Sequence, residues 1–296
     1  MDKPEEIASS DQNAKKLFIF TEFNRDRNAC NELVDILTKC DQEHAAKELE
    51  QYNQSTTPIV YSSDVEIKVK NADTLRSGGS RLFVMSGNPR GRALVFLQLD
   101  ELKKEADRFD HIFQQLYFSV DIYVNYSCDQ ILDTLKKTSQ QEFKMDALIV
   151  MFIGHGHNGI IQGSGHGQDE IHIKTLVDQF DERNCRYYIT KPKIFLFSCC
   201  QTIDIQDVRH SAEWEWMDDT TRTYIFHAWA QVRPLTTLYL RLQVFSHCIA
   251  NYACDYNLTQ IFNKTCEELN QADIPERPEL KMKTVFRDLY FNPGLF

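Results

Sequence analysis

Two uninterrupted apolar runs constrain this chain more than anything else in it. Ala147-Leu148-Ile149-Val150-Met151-Phe152-Ile153 leads straight into Gly154-His155-Gly156, and Ile194-Phe195-Leu196-Phe197 leads into Ser198-Cys199-Cys200. Strand-length runs without polar alternation are buried on both faces, which is the pattern of a parallel sheet covered by helices. Open α/β sheets collect their ligands just beyond the carboxyl ends of the strands. An imidazole and a thiol therefore stand at the two places where they could meet, and a cysteine nucleophile is the first hypothesis.

The surrounding chain supports the α/β reading. From about residue 89 onward, strand-like and helix-like patterns alternate. Residues 93–99 form a compact apolar run, and Leu102, Ala106, Phe109, Phe113 and Leu116 then recur every three or four residues, the period of an amphipathic helix. Residues 118–124 are strand-like, Ile131, Leu132 and Leu135 mark a helix, and Leu176, Val177 and Phe180 mark another between the two apolar runs. A strand over 224–229, helices over about 238–252 and 258–270, and a last strand over 285–291, stopped by Asn292-Pro293-Gly294, complete the expected series. Such β-α-β alternation predicts a mostly parallel central sheet with helices on both faces, a three-layer α/β fold.

The first eighty residues differ. Leu33, Val34, Ile36 and Leu37 suggest a short helix and residues 44–52 a second, while 53–80 carries Ser-Thr-Thr-Pro and Ser-Gly-Gly-Ser, typical of a linker. Residues 201–222 are polar and acidic, ending in Met217-Asp218-Asp219-Thr220-Thr221-Arg222, and read as an exposed connector. The expected organisation is an N-terminal extension with linker (1–80), a first region (81–200), the connector (201–222) and a second region (223–296).

A formal net charge of −10 disfavours a phosphate-binding surface, so no nucleic acid is expected as partner. No apolar stretch approaches membrane-spanning length and the first residues lack a signal-peptide core, which together predict a cytoplasmic protein without membrane association. The nine cysteines show no C-x-x-C repeat, and in such a compartment most are packing thiols, Cys248, Cys254 and Cys266 among them. For any single cysteine packing is the ordinary role, so Cys200 needs support beyond its identity.

That support is chemical first. A thiol becomes a strong nucleophile on ionisation, which a nearby imidazole promotes, and acyl transfer also needs donors for the oxyanion. His155, Cys200 and the side-chain-free amide of Gly156 offer all three components, although any two cleft residues can pair by chance. The resemblance is more specific. Lys191-Pro192-Lys193-Ile194-Phe195-Leu196-Phe197-Ser198-Cys199-Cys200-Gln201 resembles the nucleophile segment of caspases, a K-P-K-apolar strand running into Q-A-C-R/Q-G. Gly154-His155-Gly156-His157-Asn158-Gly159 resembles their S-H-G-x-x-G segment. Ser86-Gly87-Asn88-Pro89-Arg90-Gly91-Arg92-Ala93-Leu94-Val95 resembles the start of the large subunit. Phe113-Gln114-Gln115-Leu116-Tyr117-Phe118-Ser119-Val120 and Leu289-Tyr290-Phe291-Asn292-Pro293-Gly294 match in order after it.

The resemblance implies a caspase-like fold from about residue 80 to the end. It makes Cys200, not Cys199, the nucleophile and His155 the general acid/base, with the amides of Gly156 and Cys200 as oxyanion hole. It places a processing site at Asp218-Asp219 and implies a protein or peptide substrate, a homodimer or a heterodimer with another caspase, and an adaptor as further partner, with no metal and no cofactor. The extension then reads either as a shortened death-fold prodomain or as an unspecific segment. The family's two P1-aspartate arginines and glutamine are missing. Leu99-Asp100-Glu101-Leu102-Lys103-Lys104 replaces the segment before the first helix, Leu235-Thr236-Thr237-Leu238 replaces the Y-S-W-R strand, Ser198 replaces the glutamine and Thr202 the glycine. Arg90, Arg92, Arg222 and Arg233 are the candidates to substitute. Two readings follow: a cysteine endopeptidase of cell-death signalling with altered P1 preference, or a catalytically impaired homologue that regulates an active caspase by binding it.

Overall fold

The computed structural model describes residues 36–40, 42–44, 46, 64–157, 159–181, 184–200, 223–230, 235–271, 279–283 and 287–296. The chain divides into two compact units, Met1–Ser63 and Asp64–Phe296. In the first unit the described residues include a helical turn in which Cys40 N–H donates to the carbonyl of Ile36 at 3.0 Å. The second unit carries the sheet.

The strands are β1 (Gly91–Leu97), β2 (Phe118–Val124), β3 (Ala147–His157), β6 (Lys193–Cys200), β7 (Thr223–Ala230) and β8 (Glu279–Lys283), in the order β2-β1-β3-β6-β7-β8. All neighbours are parallel except β7 and β8. Two short strands, β4 (Ile160–Gln162) and β5 (Glu170–His172), fold back antiparallel from the tip of β3. Helices α1 (Lys103–Gln115), α2 (Cys128–Gln140) and α3 (Ile173–Val177) connect these strands, and α4 (Leu235–Tyr252) and α5 (Leu258–Gln271) follow β7.

Alternation along the strands sorts the core into two layers. Leu94, Phe96, Leu148, Val150, Phe152, Phe195 and Phe197 pack with Ile131 and Leu135 of α2 and Ile173, Leu176 and Val177 of α3. The intervening residues Ala93, Val95, Ile149, Met151, Ile194 and Leu196 are equally buried on the opposite face. There Phe113 of α1 meets Phe118 of β2, and Phe109 meets Phe245 of α4 with ring centroids 6.0 Å apart. Each such side chain contributes about 1.5–3 kcal/mol by leaving water. Burial on both faces explains why β1, β3 and β6 read as continuous apolar runs, and the three-layer α/β expectation holds.

Local chemistry sets the element ends. Ser127 accepts from the Gln130 amide while the Gln130 side chain accepts from the Ser127 amide, a reciprocal cap that starts α2. Only a single 3₁₀ turn, Asp100–Leu102, separates β1 from α1, which fits the shortened strand-to-helix loop read from the sequence. Residues 64–80 are tied to the second unit: Lys70 N–H donates to Ala250 O and Ala72 N–H to Pro293 O, at 2.9 and 2.8 Å.

One expected element is displaced. The last strand is β8, Glu279–Lys283, not 285–291. Beyond 286 the described chain contributes one isolated bridge, Leu82 to Asp288, and no further strand. Leu289 and Phe291 are apolar because they are buried in extended chain, Phe291 against Phe118. The edge strand, with its alternating Glu279-Leu280-Lys281-Met282-Lys283, hides its signal among charges. Among the described residues no helix is long and apolar enough to cross a membrane.

Candidate active site

β3 and β6 run parallel through eight register pairs, the last being Gly154 with Cys199 and His155 with Cys200. Adjacent strands lie about 4.8 Å apart, so the backbones of His155 and Cys200 are neighbours at the carboxyl end of the sheet. His155 is half-buried, and its Nδ1 is buried without a hydrogen-bond partner among the described residues. His157, two residues on, is also half-buried and pairs with Ile160 at the hairpin to β4.

The register separates the adjacent cysteines. Cys199 shares the face of Phe195 and Phe197 and belongs to their hydrophobic cluster. Position 200 falls on the other face, level with position 155. Gly156 lies over Cys199: a Cβ at 156 would stand 2.5 Å from Ile160 O and 3.0 Å from Cys199 Sγ. The amide of Gly156 therefore belongs to a backbone that only glycine lets approach so closely.

The other thiols described are ordinary. Burial pushes Cys128 up to about 12, Cys185 to about 11 and Cys248 to about 12, so at neutral pH they are protonated packing groups. Cys248 is fully buried as expected, while Cys254 and Cys266 are only half-buried. Three to four His, Cys, Asp or Glu side chains placed to hold a metal do not occur among the described residues.

The substitute arginines divide by position. Arg90 and Arg92 lie at the amino end of β1, seven and five residues before its last residue Leu97, roughly 15–25 Å away. Arg90 is fully buried and donates to the carbonyls of Leu116, Phe291, Asn292 and Leu295. Arg92 pairs with Asp121 at 2.7 Å. Neither reaches the thiol end of the sheet, which corrects their place among the candidates. Arg222 and Arg233 lie outside the described residues, as do Asp218, Asp219, Gln201 and Thr202. Leu235, Thr236 and Thr237 open α4. Ser198 is buried, paired in register with Ile153. Asp100 and Glu101 are exposed just past β1. Sequence reasoning passed over Gln98, counted there inside an apolar run. It follows β1, its amide N–H donates to Ile153 O at 2.8 Å, and both its side-chain polar atoms are buried without partners.

A six-strand sheet of this order, with histidine and cysteine at adjoining strand tips, defines the class: an α/β fold of the caspase type. Residues 90–231 match the model of the caspase domain. The crystal structure of the Drosophila initiator caspase Dronc superposes with a TM-score of 0.63 at 20% identity, over 77% of this chain and 95% of that one. Caspase Dronc of Drosophila melanogaster is 23% identical over 66% of this chain and 52% of its own length. Caspase-12 of Canis lupus familiaris is 23% identical over 62% and 55%. Caspase-7 of Gallus gallus is 31% identical over 33% and 31%. The family model and these relatives support a caspase-family protein, and the chain spans about half the length of the first two of them.

Proposed function

We propose that the protein is a caspase-like cysteine endopeptidase of apoptotic or related signalling in the cytoplasm, acting through His155 and Cys200. The observation that carries the reading is the register pairing of these two residues at the carboxyl end of β3 and β6. In the reaction the Cys200 sulfur attacks the scissile carbonyl of a peptide while His155 takes the thiol proton and delivers it to the leaving amine. The amides of Gly156 and Cys200 donate to the tetrahedral oxygen. Water then cleaves the acyl-enzyme, with His155 again moving the proton. Asp218 and Asp219 are the proposed processing positions, and pairing with a second copy or with another caspase the proposed assembly.

A second reading, a catalytically impaired homologue that regulates an active caspase by binding, draws on one observation. Arg90 and Arg92 are committed at the wrong end of β1 and cannot hold a P1 aspartate. Loss of one partner of a buried charge pair costs about 2–5 kcal/mol, on the order of 10²-fold or more in rate if the pair acts in the transition state.

Peptidyl fluoromethylketones that differ at P1, followed by adduct mapping, separate the two. Modification of Cys200 by a probe with non-acidic P1 supports the peptidase. Failure of every probe, with co-purification of an active caspase, supports the regulator.

A further inference from the structure

Strand alternation decides which side chains share the face of the proposed dyad. His157 follows His155 by two along β3, so both project to the side on which position 200 lies. His157 is paired with Ile160 of β4, and Ile160 in turn with His172 of β5. Directly opposed residues of antiparallel strands share a face, so His157, Ile160 and His172 make one row on that same side. The row leads away from β6. Cys128 N–H donates to the Asp169 carboxylate and Ser164 N–H to Tyr126 O, each at 3.1 Å, which holds the β4–β5 hairpin toward the β2 edge of the sheet. His157 and Ile160 are half-buried and His172 is exposed. No hydrogen bond or ion pair engages either imidazole among the described residues. One row further out on this face, Gln162 donates to Glu170 at 3.0 Å and closes the shelf with a polar pair.

We propose that Ile160, flanked by His157 and His172, forms the subsite for the residue that follows the scissile bond (P1′), and that it selects an apolar side chain, aromatic above all. The inference rests on the peptidase reading above. There His155 hands its proton to the leaving amine, so that nitrogen stands against the imidazole. The departing chain then continues on the histidine's side of the thiol, over this row. Neighbouring strands lie about 4.8 Å apart, which puts the backbones of His157 and His172 about 10 Å apart with Ile160 between them. That span admits one ring resting on the isoleucine between two imidazoles, a contact that aromatic groups favour. An acidic side chain would meet Glu170, two residues from His172, and a basic one would find that carboxylate already bonded to Gln162.

The test uses the full chain and four internally quenched peptides with phenylalanine, glycine, aspartate or lysine at P1′. All carry the same equimolar mixture of aspartate, glutamine, arginine and leucine at P1, and kcat/KM is read for each. The phenylalanine peptide is expected to be cut about tenfold faster than the aspartate and lysine peptides and about fivefold faster than the glycine peptide, as burial of a ring's apolar surface predicts. Ile160→Thr keeps a β-branched side chain in the strand and is expected to bring the phenylalanine-to-glycine ratio close to one. A merely structural Ile160 would slow all four peptides together and keep their ratios. His172→Ala, at an exposed position, serves as second variant and is expected to lower the same ratio about twofold. Equal rates in the parent, faster cleavage of the aspartate or lysine peptide, or ratios unchanged in both variants overturn the inference. Modification of Cys200 by a peptidyl fluoromethylketone beside a flat P1′ order sinks this inference alone. If no peptide is cut and no fluoromethylketone modifies Cys200, the peptidase reading itself fails and takes this one with it.

Discussion

Gly156 sits directly over Cys199, so close that the sulfur would lie 3.0 Å from any Cβ added at position 156. The contact holds Cys199 in the buried cluster of Phe195 and Phe197. It also ties the backbone proposed to bind the oxyanion to the packed core beneath. Cys199→Ala should therefore lower stability by about 1 kcal/mol, as other losses of a buried side-chain group do, and leave modification of the neighbouring thiol roughly unchanged. Cys200→Ala should abolish modification by peptide probes with little change in Tm. Adduct mapping alongside thermal melts distinguishes the two.

Gly156→Ala places its methyl against backbone, the Ile160 carbonyl at 2.5 Å, which cannot rotate away. The β3–β4 hairpin must shift, at a cost of about 1–3 kcal/mol. Probe modification of Cys200 should fall even at temperatures where the variant is fully folded, checked by following both in the same urea series.

Arg90 ties the amino end of β1 to the last residues of the chain. Its guanidinium lies 5.1 Å from the Tyr117 ring centroid and donates to four carbonyls, three of them within residues 291–295. Burial pulls its pKa down to about 10, so it keeps its charge at neutral pH. Arg90→Met should cost about 3 kcal/mol or more, because the carbonyls are left buried without a donor. Arg90→Lys should recover only part, since one ammonium cannot span the same fork. Denaturant midpoints measure both.

Glu105 and Arg108 form a wholly buried pair on α1, facing Tyr239 and Gln243 of α4, with Lys104 alongside. Burial raises Glu105 from its ordinary 4.5 to about 7, with Arg108 pulling the other way. Between those two pH values the folded chain keeps a proton that the unfolded chain releases. This contribution is fully present below about pH 4.5 and is lost as pH rises through about 7, on the order of 3 kcal/mol in all. Unfolding free energies from pH 5 to 7.5 should fall with rising pH, and Glu105→Gln should flatten that slope.

Much of this was legible in the sequence because parallel strands buried on both faces announce themselves. β2 runs over 118–124 as read, and α1 and α2 follow their apolar spacing. β3 was read too short: its apolar signal ends at Ile153, but the ladder continues through Gly154 to His157 because β6 and β4 supply partners there. β8 was misplaced because an edge strand alternates with charges while the buried tail does not. His155 and Cys200 stood out by residue type and by family resemblance. Gln98 did not, since one polar residue between Leu97 and Leu99 looks like an interruption until its unpaired amide is seen. Side-chain satisfaction is a property of three dimensions and leaves no periodic trace.

The most direct test of the central claim is the rate at which a peptidyl fluoromethylketone modifies Cys200 in the parent and in His155→Ala, with Tm verified for each. If the imidazole assists the thiol, the variant should react about 10²-fold more slowly or worse. Equal rates in two folded proteins would contradict the pairing on which the account depends.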